Sequence, residues 1–371
     1  MTGKKFKITL IVLVSVLFAV ILAIILFAAV NGYSSRYMIS KLFPGTVENI
    51  YKPYKIVDTS YSTGAVVAGC EGYAYVLDDK NLTIYDDRGN EKSSEILAFE
   101  EAYISGGKKR VLIYDGPTGA YSIFEEGDQL FRGTVERTIL GARMQNNGYV
   151  VFITKGRDGF LGGAEILDDS NEIIARYNYA DRYPVSGCVI GNSGKFAVAG
   201  IYANDTNKTG IDIFEEYNQV PVAGINLEHM MPLVLPLGDK AYIAAGSKET
   251  TVFNSEGVEL NSNGHNEIIM MDESAKGCLL TDRRTGTDKI LFIGLNGQVK
   301  WSYSAGLPVD GITAGERHSY YWSGINAVCI DDKGKIIEMQ GGFNQVTGIA
   351  DIGNGKIVIA TTGNLVFYEY H

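Results

Sequence analysis

Histidine is scarce in this chain. There are four, His229, His265, His318 and His371, and none stands at the three- or four-residue spacing with which a helix offers a metal two ligands. No GxSxG, HExxH, phosphate-binding loop or dinucleotide fingerprint occurs, which excludes the chemistries that announce themselves by motif. The four cysteines, Cys70, Cys188, Cys278 and Cys329, lie far apart and form no CxxC pair. A structural zinc site and a thioredoxin-like centre are therefore unsupported, and four small buried residues are expected rather than disulfides. Eight prolines and no low-complexity tract leave little room for a disordered arm. A basic excess is also missing. Thirty-three Lys and Arg against 43 Asp and Glu give a formal charge of −10, which argues against a nucleic-acid partner. No cofactor is expected, and nothing marks an enzyme.

The chain does hold one long uncharged run, Ile8 to Val30, ITLIVLVSVLFAVILAIILFAAV. At about 1.5 Å per residue a helix of this length spans about 34 Å, enough for a hydrocarbon core of about 30 Å. A cleaved signal peptide has a shorter apolar region, of about 7–15 residues. Lys4, Lys5 and Lys7 precede the run, so the expected orientation leaves a short cytoplasmic tail (1–7), a transmembrane signal-anchor helix (8–30) and a juxtamembrane linker (31–45). The remainder, 46–371, is expected outside the cytoplasm of a single-pass membrane protein, with Tyr33 and Tyr37 in the outer interfacial belt.

That remainder repeats one phrase, an alternating apolar strand, a tight acidic or Asn/Gly turn, and another strand. The turns are Asp86-Asp87-Arg88-Gly89, Glu125-Glu126-Gly127-Asp128, Asp168-Asp169-Ser170-Asn171, Glu215-Glu216-Tyr217-Asn218, Asn254-Ser255-Glu256-Gly257, Leu295-Asn296-Gly297 and Asp331-Asp332-Lys333-Gly334. Between equivalent positions the gaps are 38, 43, 48, 39, 40 and 37 residues. A period near 40 built from strands and turns predicts a β-propeller with one four-stranded blade per repeat. The expected fold is all-β, an eight-bladed propeller, with seven blades as the alternative should the hairpin Tyr73–Leu77 with Leu82–Tyr85 not form a full blade. In blade 2 the innermost strand is expected near Leu97–Ser105. The last repeat ends one strand short at His371, and residues 46–58, around VENIYKPYKIVD, belong to no blade. They are expected to supply the missing outer strand, where Pro53 suits an edge.

The phrase Phe292-Ile293-Gly294-Leu295-Asn296-Gly297-Gln298-Val299-Lys300-Trp301 resembles the repeat of quinoprotein-type (PQQ-like, WD40-like) β-propellers, in which such a turn leads to a docking Trp. The exported region is most similar to the membrane-anchored propeller proteins of unknown function in Gram-positive bacteria. The Trp does not recur; the matching places hold Ser94, Tyr177 and Met339. Neither the metal-binding acids nor the vicinal disulfide of the pyrroloquinoline quinone dehydrogenases can be placed on this sequence.

The acidic doublets invite a calcium reading, but Asp and Asn also start tight turns by bonding their own backbone, and that accounts for their recurrence. The aromatic cluster Tyr320-Tyr321-Trp322 is expected between blades rather than on a sugar. The one asymmetry is loop length. The connections Lys155–Gly163, Ala203–Gly210 and Asp282–Asp288 are long, and Lys155, Arg157, Lys208, Arg283 and Arg284 make them basic on an acidic domain. These five form a candidate binding surface for an anionic envelope polymer or an acidic protein partner, set against tolerated insertions without a role. The expected function is a non-catalytic interaction or binding module at the cell surface. The alternative is a propeller hydrolase or lyase acting on envelope glycan, for which carboxylates converging on the axis would be needed.

Overall fold

The computed structural model describes residues 3–30, 33–42, 50–218 and 220–371. Parts of the expected tail (1–2), linker (31, 32 and 43–45) and closing segment (46–49) lie outside the described residues.

Eight four-stranded antiparallel sheets follow one another along the chain. Blade 1 is Val66–Cys70, Tyr73–Asp78, Asn81–Asp86 and Glu91–Ile96, strands A to D from the axis outward. The hairpin in doubt thus forms a full blade. Blades 2 to 7 span 102–134, 139–179, 182–227, 233–264, 268–304 and 311–340. Strand A of blade 2 is Ala102–Gly106, later than the sequence pattern places it, because Leu97 and Phe99 turn inward to fill the joint with blade 1. Blade 8 takes its strands A to C from 346–370, and its outer strand is Tyr51–Asp58, antiparallel to Asn364–Tyr370. The register slips between Pro53 and Lys55, a bulge of the kind that lets a proline sit on an edge strand.

Each joint between adjacent blades holds its own apolar cluster, and eight such clusters close the ring. The cause lies in the two-residue period of a strand. In blade 1, Tyr75 and Leu77 face blade 2, while Ala74 and Val76 face blade 8. The middle strands are therefore buried on both faces, each large side chain contributing roughly 2 kcal/mol. The outermost strand of blade 1, by contrast, is exposed throughout. Tyr320 enters the joint of blades 7 and 8 and Tyr321 that of blades 6 and 7. All four cysteines are free and buried within these joints.

Four of the seven recurring turns share one construction. Asp86 Oδ1 accepts the N–H groups of Arg88 and Asn90 at 2.9 and 2.8 Å. Asp168 does the same for Ser170 and Glu172, Asn254 for Glu256 and Val258, and Asp331 for Lys333 and Lys335. Gly89, Gly257, Gly297 and Gly334 hold φ between 74° and 80°, the left-handed region that closes such a turn.

Each turn also leans on the preceding blade. A Cβ added to Gly334 would lie 2.8 Å from Trp301 Cβ, so Trp301 docks on the turn of blade 7. Strand pairing places Ser93, Ala175 and Glu338 where Trp301 stands, four residues past Gly89, Asn171 and Gly334 as Trp301 is past Gly297, rather than Ser94, Tyr177 and Met339. Other chemistry does the docking at these places. Asn261 Nδ2 donates to Gly297 O at 2.6 Å, and the Tyr51 N–H of the closing strand donates to Glu338 Oε2 at 2.8 Å.

Two helices precede the ring, α1 (Gly3–Val30) and α2 (Ser35–Leu42). Ser34 N donates to Ile336 O at 2.9 Å, and Tyr37, 9% exposed, packs with Ile336 of blade 7. Tyr37 thus seats α2 on the ring, and Tyr33 lies tilted beside it with ring centroids 5.0 Å apart. Along α1 the apolar side chains of Val12, Leu13, Phe18 and Phe27 are each more than half exposed. Among the described residues no helix is long and apolar enough to cross a membrane.

Candidate functional site

The eight A strands surround an axial channel of about 1350 Å³. In a meandering blade the A–B and C–D turns fall at one end and the B–C loops at the other. The channel's A–B end carries most of its charge. Glu71, Asp239, Asp272, Glu273, Glu316 and Asp351 line it from blades 1, 5, 6, 7 and 8, against Lys108 and Arg143 from blades 2 and 3.

Two ion pairs cross the axis. Lys108 Nζ lies 3.3 Å from Glu316 Oε1, joining blades 2 and 7. Arg143 reaches from blade 3 to blade 6, with its Nη2 3.6 Å from Asp272 Oδ1. Beside it the Asn146 N–H donates to Glu273 Oε1 at 3.4 Å. Asp272 Oδ2 also accepts the Ala314 N–H at 2.8 Å, and Oδ1 the Glu273 N–H at 3.0 Å. Enclosure by the ring pushes the Asp272 and Glu273 carboxyls up from their ordinary values, with Arg143 opposing; Asp272 itself adds to the rise at Glu273. Asp351 is raised by burial too, against hydrogen bonds from the Gly353 and Glu316 N–H groups.

Among the described residues, three polar atoms of this group, closed off from bulk water, have no hydrogen-bond partner in the protein: Arg143 Nε, Gln145 Nε2 and Glu273 Oε2. Gln145 is 2% exposed, and its Oε1 accepts the Val189 N–H at 3.0 Å. The bond fixes the amide's orientation and leaves its NH2 as the unpaired half. Buried polar groups of this kind take their partner from ordered water, an ion or a ligand; Thr59, Tyr179, Tyr242, Thr281 and Thr347 carry others elsewhere in the ring.

The five residues singled out in the sequence stand at the opposite, B–C end. Lys155 is exposed at the end of a blade 3 strand. Arg157 lies 4.0 Å from Glu136 and 3.5 Å from Asp158, and Lys208 is 2.6 Å from Glu228. Arg283 and Arg284 pair with Asp288 and Asp282 at 3.5 and 2.9 Å. These aspartates are buried, and Asp282 Oδ1 also accepts the N–H groups of Asn266 and Glu267. Blades 3 and 4 bring Lys155, Arg157 and Lys208 onto neighbouring loops, while blade 5 stands between them and the arginines of blade 6. Arg137, whose guanidinium pKa is lowered by burial and by Arg157 and Arg176, adds cationic charge to blade 3 that the sequence reading missed. The channel group was missed as well. The available signal was the pair Asp272-Glu273, which interrupts an apolar strand (IIMMDES) instead of opening a turn.

No family model and no curated protein matches the chain by sequence. Solved structures match by shape. The crystal structure of BamB from Moraxella catarrhalis superposes with a TM-score of 0.56 at 11% identity, over 86% of this chain and 100% of that one. Sqt1 from Saccharomyces cerevisiae gives 0.64 at 11% identity, again over 86% and 100%. A chain of the Mitotic Checkpoint Complex gives 0.51 at 12% identity, over 86% and 96%. What these share with the present chain is the β-propeller fold, PQQ-like and WD40-like in form. Propellers are widely used as interaction scaffolds.

Proposed function

We propose that this protein is a membrane-anchored, extracytoplasmic β-propeller that acts as a non-catalytic binding module at the cell surface. The observation that carries the binding role is the axial channel of about 1350 Å³, lined at one end by six carboxylates and two basic side chains. The anchor reading is supported by the uncharged stretch from Ile8 to Val30 and by the exposed apolar side chains along α1. With α2 seated on blade 7, the ring would be held close to the bilayer. The basic residues of the B–C loops support binding less well, because four of the five face carboxylates within 4.0 Å.

The test is made in cells with the full chain. A photoreactive amino acid placed at Asp239, on the channel rim, is expected to capture a defined partner, and the protein is expected to stay in the membrane fraction after alkaline extraction. Release by alkali would refute the anchor, and absence of any adduct would refute the binding role. One observation favours a second reading: carboxylates from five blades converge on the channel, as a propeller hydrolase or lyase of envelope glycan would require. Turnover of purified envelope glycan, abolished by Glu273→Gln, would establish that reading in place of the first.

A further inference from the structure

We infer that the outer rim of blades 6 and 7 docks on the anionic phospholipid headgroups of the bilayer that holds α1, so that the ring rests on the membrane by this rim. This rests on the anchor reading of α1 and adds the face with which the ring meets the membrane.

The chain enters the ring at this rim. Tyr33 bridges Ile336, and the Ser34 N–H donates to the Ile336 carbonyl, two residues past Gly334 of the blade 7 C–D turn. Tyr33, Tyr37 and Met38 pack with both blades, on Phe292 and Trp301 of blade 6 and Ile336 of blade 7. The uncharged run ends at Val30, three residues before this first contact. Three residues reach about 11 Å at most, little more than the headgroup layer, which is about 5–8 Å deep on each side of the hydrocarbon core. The C–D turns of blades 6 and 7 are therefore held at the level of the headgroups.

The blade 6 turn differs from the other six. Leu295-Asn296-Gly297 alone among the recurring turns holds no Asp or Glu, and Leu295 and Val299 are 47% and 37% exposed. Four lysines stand around it. Lys300 Nζ donates to Lys276 O at 3.5 Å, joining the C–D and A–B turns of blade 6. Trp301, next to Lys300, docks on Gly334, which lies between Lys333 and Lys335. All four lysines are exposed, and among the described residues none is ion-paired to a carboxylate. Of the acids in these turns, Asp331 accepts the N–H groups of its own turn and Glu316 pairs with Lys108 across the axis, so Asp332 stands against the four.

Exposed apolar side chains among unpaired cations fit a layer of anionic headgroups. The lysines meet phosphates while Leu295 and Val299 enter the apolar boundary beneath. A polyanion in solution would answer the lysines and leave the two apolar side chains in water. An apolar protein surface would leave the lysines unmet. The opposite side of the ring offers such a layer nothing, since the blade 3 turn carries Asp168, Asp169 and Glu172.

The experiment uses the full chain reconstituted in phosphatidylcholine vesicles, with or without about 30% phosphatidylglycerol, both containing a headgroup-nitroxide lipid as quencher. A fluorophore is attached at Gln298→Cys on the blade 6 turn or, for comparison, at Ser170→Cys on the blade 3 turn; the native cysteines are buried. In anionic vesicles quenching at Gln298→Cys is expected to exceed that at Ser170→Cys about threefold, and to fall by about half or more in neutral vesicles or in about 1 M salt, where the Debye length is about 3 Å. Lys276→Glu, Lys300→Glu and Lys333→Glu together are expected to have the same effect at an unchanged urea midpoint. Should that variant fail to fold, the lipid and salt arms decide on their own. Quenching at Gln298→Cys no greater than at Ser170→Cys, or indifferent to lipid charge and salt, overturns the inference. Release of the chain from the vesicles by alkali refutes the anchor and the docking with it, whereas a chain retained but unquenched at Gln298→Cys refutes the docking alone.

Discussion

Asp115 shows what a single carboxylate does in this fold. It ends the second strand of blade 2 and is buried. Its oxygens accept the N–H groups of Glu100 and Glu101 at 3.0 and 2.9 Å and the Thr118 hydroxyl at 2.5 Å. Burial pushes its pKa up, but these three donors outweigh it and hold the carboxyl below its ordinary value. Asp115→Ala strands two amides and is expected to cost about 2–4 kcal/mol in urea unfolding. Because the folded pKa is depressed, this stability is present above the unfolded pKa of about 3.9 and is lost as pH falls through the folded value. Asp115→Asn should therefore lie below the wild type at pH 7 and converge with it near pH 2; a gap that persists in acid would show that charge is not the cause. Asp282, bonded in the same way to the loop ahead of blade 6, explains why Arg283 and Arg284 could not be read from sequence. Their charges look free until the buried aspartates they face are seen.

At the scale of elements, what could be read from the sequence followed from local chemistry. Asp86, Asp168, Asn254 and Asp331 bond the backbone two and four residues ahead, an arrangement complete within the turn, so the repeat reveals it. The closing strand was legible because a count of strands left one place empty and Tyr51–Asp58 had no other place. The A strands were not legible. Blades 3, 4, 6 and 8 carry register shifts in their A–B pairs, and the axial faces mix charged side chains with Val, Leu, Ile and Met. No clean alternation survives, so the channel stayed hidden. The closing strand has a direct test. Deleting residues 46–58 while keeping the rest leaves Asn364–Tyr370 with an unpaired edge and removes the donor to Glu338. The variant is expected to aggregate, and a synthetic peptide of residues 46–58 is expected to restore a soluble ring. A truncated chain that stays monodisperse with the wild-type melting temperature would show that blade 8 does not need it.

The whole molecule sets opposed groups against each other in one pH profile. Asp272, Glu273 and Asp351 are held above their ordinary values by burial in the channel, so the folded ring binds protons that the unfolded chain does not. Charging them destabilises the ring, and stability is expected to rise as pH falls from 8 through their folded pKa values. The formal charge of −10 acts in the same direction, since protonation relieves self-repulsion. Asp86 and Asp115 act oppositely. Burial raises both, yet backbone and side-chain hydrogen bonds hold each below the ordinary range, so what they contribute disappears in stronger acid. Between the two regimes stability should pass through a maximum in mildly acidic solution. Urea midpoints of the full chain measured from pH 8 to pH 3 would trace it. Glu273→Gln should flatten the limb between pH 8 and the maximum while leaving the acid limb in place, because the substituted amide does not titrate. A midpoint that climbs steadily towards pH 8, or a profile that Glu273→Gln leaves unchanged, would mean that the channel carboxylates stay fully solvated and the ring encloses no site.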